Sequence, residues 1–197
     1  MEKEIHEQPA AIANTLAAMT GVDGKLSSPL SRDDLADITG IVMLAAGTSH
    51  YASMVARYWI ESLARVPVTC EVASEYRYRN PVTSTYNTAI AISQSGESLD
   101  TLMAMRHAGD SGLQTVGLIN VDGSTIAREA DIVMPTRAGT EIGVASTKAF
   151  TAQLTALLSF AIALAEARGE ISTDRRDELH DHIQRLPSLV GKTLNLF

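Results

Sequence analysis

Two short segments rich in hydroxyl groups carry the clearest chemistry in this chain: Ala45-Ala46-Gly47-Thr48-Ser49 and Ser93-Gln94-Ser95-Gly96-Glu97-Ser98. Each follows an apolar run and leads into a stretch with helical periodicity, so each places its hydroxyls at the start of a helix. The first N–H groups of a helix have no partner inside it, and the helix dipole favours an anion there. Gly47 permits close backbone approach, Thr48 and Ser49 add hydroxyls, and Ser93, Gln94, Ser95 and Ser98 add three hydroxyls and a carboxamide. Such loops hold a phosphate without Lys or Arg, which matters in a chain of net charge −7. The competing reading is plain N-capping, worth about 1 kcal/mol per residue and the commoner role of Ser and Thr before helices. Neither loop has the G-x-G-x-x-G or G-x-x-x-x-G-K-[ST] pattern of nucleotide sites. A third segment, Ala138 to Lys148, joins an apolar run to a long helix; it reads as a rim over a ligand or as an ordinary loop capped by Ser146 or Thr147.

Other reactive side chains recede on inspection. The histidines are scattered, and His180-Asp181-His182 puts two imidazoles on different helix faces, which argues against a metal site. Cys70 lies in a strand-like run and reads as a buried, inert thiol. Glu75, Arg77 and Arg79 read as a solvated or subunit-facing charge cluster, and Arg175-Arg176 to Glu178 as a solvated helix face. Glu97 and Glu141 are the only carboxylates within the three segments, and neither stands out as a general base.

The elements that position these loops follow from periodicity. The runs 41–45, 68–72, 89–93, 115–120 and 131–135 are short, apolar and rich in β-branched residues, hence buried strands. Helical patterns occupy 51–64, 98–108, 124–129, 147–168 and about 174–185, after an N-terminal helix over 2–19 and a loop with a short helix to residue 37. This alternation predicts a three-layer α/β/α sandwich on a five-stranded parallel sheet of flavodoxin-like order 2-1-3-4-5. Residues 1–40 form a helical lead-in, 41–168 the binding domain, and 169–197 a C-terminal helix and connector. The single cysteine and an opening without a signal-like h-region point to a reducing cytoplasm. The acidic balance offers nothing to nucleic acid or to an anionic membrane. The apolar stretch 154–165 is far shorter than the ~20 residues of a membrane span and reads as a buried helix.

The motifs Ala-Gly-Thr-Ser-His-Tyr, Glu-Val-Ala-Ser-Glu-Tyr-Arg-Tyr-Arg, Ser-Gln-Ser-Gly-Glu-Ser-Leu-Asp-Thr and Ala-Gly-Thr-Glu-Ile-Gly-Val-Ala-Ser-Thr-Lys-Ala-Phe, with the opening Lys-Glu-Ile-His-Glu-Gln-Pro, closely resemble the first sugar-isomerase (SIS) domain of the glucosamine-6-phosphate synthase family. The resemblance runs collinearly from about residue 2 to 165. It implies that Ser93, Gln94, Ser95 and Ser98 bind the phosphate of fructose 6-phosphate or glucosamine 6-phosphate. It places Thr48 and Ser49 along the sugar, with Val144 contributing its backbone and Ser146 at the edge. Family members make glucosamine 6-phosphate from fructose 6-phosphate and glutamine, without metal or redox cofactor, and are commonly homodimers. Ala46 stands where the family usually has Cys, and Ser98 where it often has Thr. The family's glutaminase domain, and the second SIS domain that supplies its glutamate base, have no counterpart in these residues. The resemblance therefore implies a hexose-phosphate-binding part of an aminotransferase, inactive alone and with no catalytic residue of its own. The alternatives are a stand-alone isomerase or deaminase that completes its sites by oligomerising, and, last, a regulatory sensor.

Overall fold

The computed structural model describes residues 1–22 and 24–196. Five strands, β1 (Ile41–Ala45), β2 (Val68–Val72), β3 (Thr88–Ser93), β4 (Gln114–Ile119) and β5 (Ile132–Pro135), form one sheet of order β2-β1-β3-β4-β5. All neighbours are parallel, and the order is the flavodoxin-like one expected.

The period of two along each strand sorts side chains onto two faces. Ile41, Met43 and Ala45 of β1 join Ile90, Ile92, Val116, Leu118 and Met134 on one face, whereas Val42, Leu44, Ala89, Ala91 and Ile119 lie on the other. The first face carries the larger residues and receives α4 (Gly47–Leu63) and α8 (Lys148–Ala167), with α2 (Gln8–Ala18) and α3 (Arg32–Ala36) packed on α8. The second receives α5 (Ala73–Tyr76), α6 (Leu99–Asp110) and α7 (Thr125–Glu129). α7 sits close on β4 because Gly117 has no side chain: a Cβ there would come within 3.3 Å of Ala130 Cβ and of two isoleucine side chains.

Several elements differ from the sequence expectation. The N-terminal helix is two, α1 (Glu2–His6) and α2, because Pro9 at the start of α2 has no N–H to carry the ladder through. The side chain of Gln8 donates to Ile5 O instead, at 3.0 Å. α4 begins a turn earlier than its apolar pattern, at Gly47, and a short helix, α5, follows β2. The charged helix α9 (Thr173–Ile183) is followed by α10 (Leu186–Leu194), which opens at Pro187 and packs on α2. α8 is 20 residues long, so its apolar length does reach that of a membrane span, but 72% of the apolar window is buried inside the fold between α2, α3, α4 and α9.

Two further expectations are corrected. Arg176 is not on a solvated face: it is 7% exposed and pairs with Glu166 at 3.0 Å and Asp177 at 2.8 Å, while His180 is equally buried. Cys70 is half-buried rather than buried, because β2 is the sheet edge; burial still pushes its thiol pKa up.

Candidate functional site

Because every strand is parallel and followed by a helix, α4, α6, α7 and α8 all begin at the carboxyl edge of the sheet. β1 and β3 are neighbours in register, with Ala45 opposite Ile92, yet their helices pack on opposite faces. The loops after them therefore diverge, and the crevice between them is the place where open α/β sheets receive ligands. The 46–49 and 93–98 loops both lie there.

The β3–α6 loop is organised by its own serines. Ser93, 5% exposed, accepts from the Gly96 N–H at 3.0 Å, and Ser95 accepts from the Glu97 N–H at 3.2 Å. With an N–H on its lone pair, each hydroxyl keeps its proton free to donate. Ser98 is the N-cap of α6 and makes no side-chain cap hydrogen bond; its Oγ accepts from Thr101 Oγ1 at 3.1 Å. Leu102 is the residue whose N–H is bonded to Ser98 O, so the first-turn N–H groups have no helical acceptor. The contrast with α3 and α9 is informative. There Ser31 and Ser172 accept from Asp34 and Arg175 N–H groups and act as plain caps. The serines at the carboxyl edge are arranged differently.

A second contact network locks this loop. Gly96 has φ +66°, and its carbonyl accepts from the Ile126 N–H at 3.0 Å. A Cβ there would lie 2.0 Å from Ser124 Oγ, so only glycine fits. The Glu97 carboxylate accepts from Thr125 N–H and Oγ1, both at 2.8 Å, and these bonds lower its pKa below the usual carboxylate value. Ser124 itself is 3% exposed, and its hydroxyl has no hydrogen-bond partner among the described residues.

On the β1 side, Gly47 has φ +56° and opens α4; Thr48 is exposed. Ser49 Oγ accepts from Gln153 Nε2 at 2.9 Å, which ties this loop to α8. Gln153 is 2% exposed, and its amide oxygen has no hydrogen-bond partner among the described residues. The β5–α8 loop closes the edge. Asn120 Oδ1 accepts from the Ala138 N–H at 2.8 Å, and Asn120 Nδ2 donates to Gly139 O at 2.9 Å. Glu141 accepts from Thr147 N–H at 2.9 Å, Ala149 N–H at 3.2 Å and Ser146 Oγ at 3.0 Å, so it caps α8. Ser146 is half-buried and Val144 fully exposed.

The fold thus brings Thr48, Ser49, Ser93, Gln94, Ser95, Ser98, Val144 and Ser146 to one edge of the sheet, with Thr48 and Val144 the most open. Gln153, Ser124 and Glu4 also belong to the framework of this edge and were not singled out by sequence. A glutamine in the middle of an apolar helix is the one such signal that could have been read there. Among the described residues no three His, Cys, Asp or Glu side chains gather closely enough to hold a metal ion.

These features define an SIS-type α/β domain, and the SIS domain family matches residues 34–163; the chain belongs to that family. Over 98% of its length the chain is 47% identical to glutamine–fructose-6-phosphate aminotransferase (isomerizing) of Zymomonas mobilis. Over its full length it is 46% identical to the same enzyme of Brucella abortus. It spans 32% of the length of each of these proteins. The C-terminal domain of glucosamine-fructose-6-phosphate aminotransferase from Francisella tularensis superposes with a TM-score of 0.94 at 39% identity, over 98% of this chain and 55% of that one. Glucosamine-6-phosphate deaminase from Thermotoga maritima shares the fold, at TM-score 0.69 and 20% identity over 91% of this chain and 52% of that one.

Proposed function

We propose that the chain is the hexose-phosphate-binding SIS unit of an aminotransferase of the glutamine–fructose-6-phosphate type, with residues 41–168 as the binding unit. The observation that carries this reading is the state of the serines in the β3–α6 loop: Ser93 and Ser95 each accept a loop N–H and keep a proton to donate, beside a helix N-terminus whose cap leaves its N–H groups unbonded. That arrangement suits a phosphate dianion, and it supplies donors without adding a cation. Gln94 and Ser98 complete the phosphate end. Thr48, Ser49, the Val144 backbone and Ser146 line the sugar, which is fructose 6-phosphate as substrate or glucosamine 6-phosphate as product.

In this reading the chain binds and orients the sugar phosphate in the cytoplasm, as one half of a homodimer, and residues outside it supply the base and the ammonia. Support comes from the carboxylates near the site. Glu97 and Glu141 are both occupied by backbone N–H and hydroxyl donors, so neither is free to take a proton from a sugar carbon. Calorimetric titration with glucosamine 6-phosphate, with unphosphorylated glucosamine as control, followed by a turnover assay on the same sample, tests this. Phosphate-dependent binding without turnover, lost in Ser93→Ala and Ser95→Ala, is the expected result. Turnover by the purified chain would show that it carries its own base and would favour the stand-alone isomerase or deaminase reading.

A further inference from the structure

The rim of this site is held from a distance by α1 and the start of α2. Glu4, 7% exposed, accepts through Oε1 from the N–H of Ile142 at 2.6 Å and of Gly143 at 3.0 Å. Glu7 pairs with Lys148 at 2.5 Å, where the lysine side chain is 6% exposed. Gln8 Oε1 accepts from Thr151 Oγ1 at 2.5 Å. These three residues grip the β5–α8 segment on both sides of Val144 to Ser146. At the far end Glu141 closes the same segment by capping α8. Side-chain packing contributes little to its shape, since Ile142 is 86% and Val144 106% exposed. Gly143 is also matched to the contact: a Cβ there would lie 2.5 Å from Glu4 Oε2. An open cavity of about 510 Å³ lined by Lys3, Glu4, Glu7, Thr140, Gly143 and Lys148 adjoins this contact.

We propose that Glu4 is a positioning residue for the sugar end of the site: by holding the Ile142 and Gly143 N–H groups, it sets the backbone at Val144 and Ser146 while touching no ligand itself. This rests on the reading of Val144 and Ser146 as sugar contacts given above. A carboxylate suits the role because it accepts two adjacent N–H bonds at once, and charge-assisted bonds are about twice as strong as neutral ones.

The test is calorimetric titration of the 197-residue chain with two probes, glucosamine 6-phosphate and inorganic phosphate. In Glu4→Ala the affinity for glucosamine 6-phosphate falls about ten-fold while that for inorganic phosphate is unchanged, because the serine loop is untouched. Gly143→Ala, which presses on the same contact from the other side, gives a similar selective loss. The double variant is no worse than the weaker single, as two lesions in one contact are not additive. Glu4→Gln recovers most of the affinity, since its carboxamide oxygen still accepts from both N–H groups. Equal loss for both probes, or an effect of Glu4→Ala below two-fold, overturns the proposal. If Ser95→Ala weakens inorganic phosphate while Glu4→Ala changes nothing, this inference alone falls. If the unaltered chain binds neither probe, the site reading falls with it.

Discussion

Replacing Gly96 by alanine is the sharpest perturbation of this site, because the structure states what the added methyl group meets. At φ +66° an L-residue is strained by roughly 1–2 kcal/mol. The new Cβ would also lie 2.0 Å from Ser124 Oγ, 2.5 Å from Ser124 Cβ and 3.0 Å from Ile119 Cγ2. Ser124 cannot simply rotate away, since its Cβ is itself in the clash. Nor can the loop lift freely: Ile126 N–H holds Gly96 O at 3.0 Å, and Thr125 holds Glu97 at 2.8 Å twice over. Overpacking of this kind costs about 1–3 kcal/mol, giving roughly 2–5 kcal/mol with the strain. For a chain of this size that corresponds to a fall in thermal midpoint on the order of 10 °C. A companion Ser124→Gly removes the two closest of these atoms and leaves Ile119 Cγ2; the double variant regains most of the steric part and keeps the loss of about 1–2 kcal/mol from the backbone. Thermal and urea unfolding followed by circular dichroism, with phosphate titration of each variant, measure this. A Gly96→Ala chain within about 2 °C of the original midpoint, with phosphate binding intact, would refute the reasoning that only glycine fits the cradle.

Three further outcomes are expected. Arg168 donates to Ala64 O at 3.2 Å, Ile38 O at 2.5 Å and Ala36 O at 3.3 Å, joining the ends of α3, α4 and α8; Arg168→Ala lowers stability by about 2–3 kcal/mol in urea unfolding, and Arg168→Lys does not restore it, because an ammonium does not reproduce the fork. The Glu4 carboxyl is held at about 2, chiefly by the Gly143 and Ile142 N–H groups, against an ordinary 4.5; a depressed carboxylate contributes stability fully above pH 4.5 and loses it as pH falls toward 2. The urea midpoint therefore declines over that window, and less steeply in Glu4→Gln; equal slopes would contradict the assignment. Burial raises the Cys70 thiol, so iodoacetamide modifies it at least about ten-fold more slowly in the folded chain than in urea, as read by mass spectrometry; equal rates would show the thiol to be open.

The sheet was legible in the sequence because each strand is a short apolar run ended by polar or glycine residues, and buried parallel strands have few other signatures. Right-handed crossovers leave few strand orders open, and the flavodoxin-like one chosen among them is the order observed. The break at Glu7 was missed although Pro9 was visible, because Pro in the first turn of a helix is compatible with one continuous helix or with two. The hydroxyl loops were legible as a pair, but their state was not. Whether a serine caps a helix, as Ser31 does, or accepts a loop N–H and keeps its proton, as Ser93 does, depends on the loop path and not on residue type. Arg176 reads as surface by composition, and only the fold places Glu166 beside it. The residues that frame the site escaped for a related reason. Ser49 and Gln153 are 104 positions apart, and Glu4 and Ile142 are 138 apart, so no local pattern marks either pair.

In the function proposed above, the placement of carboxylates accounts both for an anion site in an acidic chain and for a base supplied from outside it. Glu4, Glu97 and Glu141 all lie near the carboxyl edge of the sheet, where free negative charge would repel a phosphate. Each is turned away from that use: Glu4 holds two loop N–H groups, Glu97 holds Thr125, and Glu141 holds the first turn of α8. The same bonds that spend their charge on the protein depress the proton affinity of Glu4 and Glu97. A general base works best with a pKa near the working pH, and hydrogen bonding of this kind moves a carboxylate the opposite way. Rigid loops and available bases are thus competing uses of one residue type at this edge, and the chain has committed its glutamates to rigidity. On the proposed function, proton transfer at the sugar then falls to a group that these loops do not fix. The division predicts that Glu97→Gln loosens phosphate binding and lowers stability. It also predicts that Glu97→Gln leaves the pH optimum unmoved in any assembly where the full reaction runs.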